Sequence, residues 1–362
     1  MWIWVRIFFL FFLLGTAVPR AAAGGMLTIT DLEKRRVEVP SNPSRIICLG
    51  PGSLRLICYL GKMEKVVGVE AFEKSPPEGR TYLWANPGLG RKASIGPGGP
   101  AGINKEPDLE SVLKVRPQVI FIANMDAAKA DALQKKLGIP VVILSYGGFA
   151  TFDEVVFDSL RLAGKILQVD RRAEEVIAYI VNARRDLLQR TEGFSESDKR
   201  RVYIGGIGFR GTQGIESTDA SYFPLDWTGA RNLAKEVAPR GHLFIDKEKI
   251  LSWNPDLIFL DGGGFQLIQQ DYQKKPEFYR SLKAFGAQSV YVLYPYNWYV
   301  TNIDTAVLDA YVAGKILYPQ LFSDIEPRKK AEEIYHFLLG KPLYQSMAKE
   351  FGEIGGVVNF FP

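Results

Sequence analysis

The chain is short of the residues that build most catalytic and metal centres. Among 362 residues there are two cysteines, Cys48 and Cys58, and two histidines. Two histidines all but exclude a histidine-built metal site. No cysteine stands just after the leading apolar segment, so no lipid-anchored form is expected. Two cysteines could form a disulfide in an oxidising compartment. We read them instead as two buried free thiols, one in a strand and one on the core face of a helix. There is no nucleophile elbow and no Ser-His-Asp set in context. Past the first residues there is no apolar run of membrane-spanning length.

Strong charge of one sign is also missing. The formal net charge is +5, or +3 without Arg6 and Arg20 of the first 23 residues. That is near neutral for this size and argues against nucleic-acid binding. Those 23 residues join one early arginine, a nine-residue apolar run at 7–15, and small residues Ala21 and Ala23. The pattern is that of a secretory signal peptide cut after Ala23. The mature chain is therefore expected outside the cytoplasm, in a periplasm. At that length, two domains are expected.

What the sequence does have is a repeat. DLESVLKVRPQVIF (108–121) recurs as DKEKILSWNPDLIF (246–259) at an offset of 138 residues, with six of fourteen positions identical. Each copy reads as an Asp-capped short helix, a proline and an apolar strand. Each carries a glutamate, Glu110 or Glu248, on its third residue. Around both copies, strands alternate with helices, which predicts parallel sheets covered by helices. Between the copies, 169–192 reads as one unbroken helix with Ala173, Val176, Ile177, Ile180 and Val181 on one stripe. The expected architecture is α/β: two Rossmann-like lobes, 24–168 and 193–362, joined by one long rigid helix. A helical tail is expected to complete the second lobe. One stiff connection allows only small relative motion, and the ligand site is expected in the cleft between the lobes.

Candidate contacts come from loops at the strand ends. In the first lobe these are Ser53, Trp84, Asn86, Asn124 and Tyr146; in the second, Arg210, Thr212, Glu216, Tyr296, Trp298 and Tyr299. Trp84 and Asn86 lack counterparts in the repeat, which favours a specific role. Tyr294 matches Tyr146 and reads as scaffold. The stretch GFRGTQGIES (208–217) lacks the lysine and serine spacing of a phosphate loop. It reads as a cleft wall, with Arg210 aimed at an anionic ligand. Arg231 could do the same or pair with Asp226. The aromatic run 294–299 offers phenols to a hard metal or stacking faces to a large ligand. Glu216 and Asp219 are the residues a glycosidase reading would use, and His242 reads as a packed histidine. Acids in a helix's first turn also stabilise it through the dipole, which is the plain reading of Glu110 and Glu248.

The strand opening RIICLGPGS, the two repeat copies, LGIPVVILSY (137–146) and the lone long helix together resemble class III periplasmic substrate-binding proteins. This is the family of vitamin B12-binding and ferric-siderophore-binding components of ABC importers. The resemblance covers nearly all the mature chain. It implies a monomer without catalytic residues or a cofactor, and a ligand able to carry a metal such as iron. It also implies docking of Glu110 and Glu248 on arginines of the two permease subunits. Two departures fall in the ligand region. Many relatives place a glutamate three positions after the serine that follows the first strand; here Ser53 is followed by Arg55 and Leu56. The loop 82–99 is longer than in small members. The expected function is capture of a metal chelate, foremost an iron complex, for import. The alternatives are a small oxyanion (molybdate or tungstate) or cobalamin on the same fold, a secreted hydrolase using Glu216 and Asp219, and a sensor or adhesion module.

Overall fold

The computed structural model describes residues 25–147, 152–358 and 360. The segment 1–23, read above as a signal peptide, and Gly148 of the 145–148 loop lie outside the described residues.

A hairpin opens the fold, β1 (Met26–Thr30) against β2 (Arg36–Pro40). The first sheet follows: β3 (Ile46–Leu49), β4 (Val66–Val69), β5 (Ala93–Ser94), β6 (Val119–Ala123) and β7 (Val141–Leu144). All five strands are parallel, in the order β5-β4-β3-β6-β7. The chain then builds β8 (Arg201–Gly205), β9 (Ser217–Asp219), β10 (Arg231–Asn232), β11 (His242–Phe244), β12 (Leu257–Asp261) and β13 (Val290–Leu293). The second sheet is parallel and runs β10-β8-β12-β13, while β9 and β11 form a small antiparallel pair. In each lobe the strand order reverses beside the first long strand, between β3 and β6 or between β8 and β12. A crevice forms outside the strand ends at such a point.

The repeat is structural as well as sequential. Asp108 accepts the Ser111 N–H and caps the helix Leu109–Val115; Asp246 accepts the Lys249 N–H and caps the helix Lys247–Trp253. Both helices stop at a left-handed residue, Arg116 (φ 46°) and Asn254 (φ 43°). A proline follows each and cannot continue the helix. The next strand, β6 or β12, is buried along its whole length and lies inside its sheet.

The linking helix runs Asp170–Arg190, 21 residues or about 30 Å. Its buried stripe is Ala173, Val176, Ile177, Ile180, Ala183 and Leu187; Val181 is only half-buried. It packs on the helix Val155–Leu167 and on the helix Ile303–Leu317. The C-terminal helices do more than complete the second lobe. The helix Pro327–Leu339 packs on Ile303–Leu317 and also on the first-lobe helices Ser53–Tyr59 and Thr81–Ala85. Arg172 of the linking helix donates to the carbonyls of Tyr59 and Phe337 and ties the three together. One apolar core therefore runs under both lobes, holding Phe121 and Leu144 with Phe259 and Leu293. The linking helix is not the sole restraint on lobe motion.

Cys48 and Cys58 are buried free thiols. Burial raises both above the ordinary thiol range, Cys58 to about 12, so neither is a reactive thiolate.

Candidate functional site

Three segments converge where the lobes face each other. The first is the turn after β3 and its helix Ser53–Tyr59. The second is the run that begins at Glu70 after β4. The third is the loop 295–302 after β13, which crosses from the second lobe onto the first.

Arg55 explains how that loop is held. Its side chain is fully buried, and its guanidinium donates to four successive carbonyls: Trp298 (3.1 Å), Tyr299 (3.1 Å), Val300 (3.3 Å) and Thr301 (2.9 Å). A planar fork with five N–H donors suits such a cluster; a lysine would not. The carbonyls converge because Tyr299 (φ 56°) and Val300 (φ 59°) are both left-handed. For a β-branched valine that conformation is strained, and it persists only where the surroundings over-determine it. Next in sequence, buried Asp304 accepts the hydroxyls of Tyr59 and Thr81, each at 2.5 Å. Arg55 thus ties the second lobe's loop to the first lobe.

Tyr299 makes a second crossing. Its hydroxyl donates to Glu70 (3.0 Å) and accepts the Gly99 N–H (3.1 Å), and its ring packs on Phe72 at 4.7 Å. Glu70 also accepts the Gly50 N–H. Burial lifts the Glu70 carboxyl to about 7, against the opposing pull of that N–H. Around Glu70 the first-lobe rim is nearly closed. A slot of about 10 Å³, room for one water, lies among Gly50, Gly96, Gly98, Lys105 and Ala123. Gly50 (φ 73°) is required there: a Cβ would stand 2.3 Å from the Ala123 carbonyl oxygen.

The open space is on the second-lobe rim. A cleft of about 550 Å³ is lined by Thr212, Gly262, Gly263, Phe265, Gln266, Pro295 and Trp298 of that lobe, with Glu78 from the first lobe and Glu350–Gly352 from the C-terminal segment. Asp261 shapes its floor. Its Oδ1 accepts the Gly263 N–H at 2.8 Å and turns the chain after β12. Burial raises this carboxyl to about 7. Burial, and Glu78 after it, also raise the Glu350 carboxyl above its ordinary value. The wall thus pairs glycine and aromatic surface with two facing carboxylates. The Trp298 indole N–H is buried without a protein partner among the described residues.

Of the residues expected to touch ligand, the structure brings Thr212 and Trp298 to this cleft. Arg210 is exposed two residues away, over the Phe209 ring at 5.4 Å. Asn124 is exposed at the end of β6 and left-handed (φ 57°). Others are elsewhere. Ser53 is buried and donates back to the Leu49 carbonyl, closing its own helix start. Tyr146 is buried and donates to the Gly52 carbonyl. Tyr296 is buried between Tyr222 and Phe223. Asn86 donates to the Cys58 sulfur and the Tyr82 carbonyl, and Trp84 packs against the core on the helix that meets Pro327–Leu339. Their lack of a counterpart reflects first-lobe packing, not the cleft.

The remaining candidates resolve simply. Arg231 pairs with Glu236 and not with Asp226, which pairs with Lys235. Glu216 lies 3.7 Å from Lys247, while Asp219 is buried and turned onto the Ser221 N–H, so the two do not form an accessible acid pair. His242 bonds Ser217 and stacks on Phe209 at 4.0 Å. Glu110 and Glu248 are exposed, each in the first turn of its helix. Sequence reasoning missed Arg55, Glu70, Glu78, Asp261 and Glu350.

Two lobes with strand-end crevices share one core and leave a cleft at their junction. The periplasmic binding protein family matches residues 46–296, and the chain belongs to that family. It is a periplasmic solute-binding protein of an ABC importer and not an enzyme. The molybdate-binding protein MolA of Haemophilus influenzae is 24% identical over 326 residues, covering 85% of this chain and 89% of MolA. The structure of MolA bound to molybdate superposes with a TM-score of 0.68 at 21% identity, covering 87% of this chain and 98% of that one. A periplasmic solute-binding protein of Veillonella parvula gives 0.70 at 24% identity, covering 90% and 97%. CeuE of Helicobacter pylori, in a nickel–histidine complex, gives 0.59 at 18% identity, covering 90% and 99%. Among the described residues, no helix is long and apolar enough to cross a membrane.

Proposed function

We propose that the protein captures a metal chelate, foremost an iron complex, in the cleft beside Trp298 and hands it to a membrane permease. The observation that carries this is the cleft wall. It offers about 550 Å³ of space, the aromatic surfaces of Trp298, Phe265 and Phe351, and the carboxylates Glu78 and Glu350. Flat aromatic and glycine surfaces suit a chelate's organic shell. Two carboxylates repel a bare anion and favour a ligand of neutral or positive net charge. Glu110 and Glu248, exposed on equivalent helices of the two lobes, are the residues proposed to meet the two permease subunits.

A small oxyanion is the second reading. It is supported by the likeness to MolA and by Arg210, exposed on the loop that also carries Thr212. A tetraoxoanion needs converging cationic or N–H donors, and the cleft as shaped presents carboxylates instead. Calorimetric titration with ferric chelates, cobalamin and sodium molybdate separates the readings. Saturable binding of a ferric chelate, weakened by Trp298→Ala, supports the proposal. Saturable binding of molybdate alone, weakened by Arg210→Ala, replaces it.

A further inference from the structure

Eleven large apolar side chains are exposed among the described residues. One pair of them is related by the 138-residue repeat: Leu113, 50% exposed, and Leu251, 37% exposed. Each lies three residues after the repeat's glutamate, and positions i and i+3 of a helix share a face. The core does not need either leucine. Their helices bury Val112 and Val115 in one lobe and Ile250 and Trp253 in the other. A single exposed leucine is ordinary. The same leucine beside the same exposed carboxylate in both lobes is a surface presented twice.

We propose that Leu113 and Leu251 are the apolar anchors of the docking face, each set beside its glutamate, and that the occupant is the importer's two-subunit permease. Each permease subunit would present a cationic side chain next to an apolar hollow. The duplication of the face matches a partner with two equivalent subunits, and the exposed carboxylates supply the charge complementarity. This rests on the reading of Glu110 and Glu248 as docking residues and adds what those acids lack. A surface ion pair contributes little affinity and chiefly sets register, whereas a leucine buried on binding contributes substantially.

The test uses the mature chain and its permease–ATPase complex in nanodiscs, with docking read by biolayer interferometry and folding by thermal melts. Leu113→Ala and Leu251→Ala are each expected to weaken docking by about tenfold, and the pair by about a hundredfold, at unchanged melting temperature. Leu188→Ala, an exposed leucine on the linking helix, is expected to stay within about twofold of the parent. If Glu110→Ala with Glu248→Ala weakens docking but the leucine pair does not, the apolar anchors are refuted and the acidic reading stands. If neither pair changes docking, the face lies elsewhere and both ideas fall.

Discussion

The two lobes share a plan and part company at one strand end. The last residue of β6 is Ala123, and the repeat-related last residue of β12 is Asp261. In the first lobe the Ala123 carbonyl abuts Gly50, and the crevice shrinks to a slot beside Glu70. In the second, the Asp261 carboxylate turns the chain onto Gly263, and the glycines after it leave a cleft floor. The same scaffold thus yields a sealed rim and an open one. The nearly closed rim serves as the anvil on which the second lobe's loop 295–302 is fixed, and the open rim is the space proposed for cargo.

The largest effect is expected at Arg55. Arg55→Ala removes a charged donor from four carbonyls and leaves them buried, so it should cost roughly 3–5 kcal/mol of unfolding free energy. Urea denaturation checks this; a loss under about 1 kcal/mol would mean the loop is fixed by other contacts.

The next test is pH. Asp261 and Glu70 are raised to about 7 and Asp219 to about 6, mainly by burial. In the window between the unfolded carboxylate range and those values, the folded state holds more protons than the unfolded one. Stability should therefore fall as pH rises from about 4 to 7. Asp261→Asn should flatten part of that fall and raise stability at pH 7.5 by about 1–3 kcal/mol. Thermal melts across pH 5 to 8 measure it, and a curve that rises with pH would contradict the assignment.

Trp298→Ala should weaken binding of a ferric chelate by about tenfold or more in calorimetry, with little change in stability. Tyr299→Phe, which removes only the hydroxyl reaching Glu70 and Gly99, should cost about 1 kcal/mol of stability and spare binding. The reverse ranking of these two would exchange the roles given to the rims.

Much of the fold was legible because it depends on short-range chemistry. Asp108 and Asp246 cap helices, a proline ends them, and unbroken apolar runs make buried strands. The long helix was legible from its stripe. Long-range partnerships were not. Arg55 meets carbonyls some 245 residues away, and nothing in GPGSLRL marks that arginine as buried. The C-terminal helices could be predicted from periodicity, but not that Pro327–Leu339 would reach back to the first lobe. The site was less legible than the fold for the same reason. Trp298 and Thr212 line the cleft, and their place at its rim is legible because aromatic and glycine-rich loops follow strands. Glu78 and Glu350 were missed because each lies in an unremarkable polar stretch and matters only through the other. Ser53, Tyr146 and Tyr296 occupy strand ends as expected, yet their side chains face inward.

The most direct measurement is native mass spectrometry with elemental analysis of the protein recovered with its own cargo. One bound organic molecule per chain is expected, together with one equivalent of metal, foremost iron, both lost in Trp298→Ala. Recovery of a stoichiometric tetraoxoanion with no organic component would contradict it.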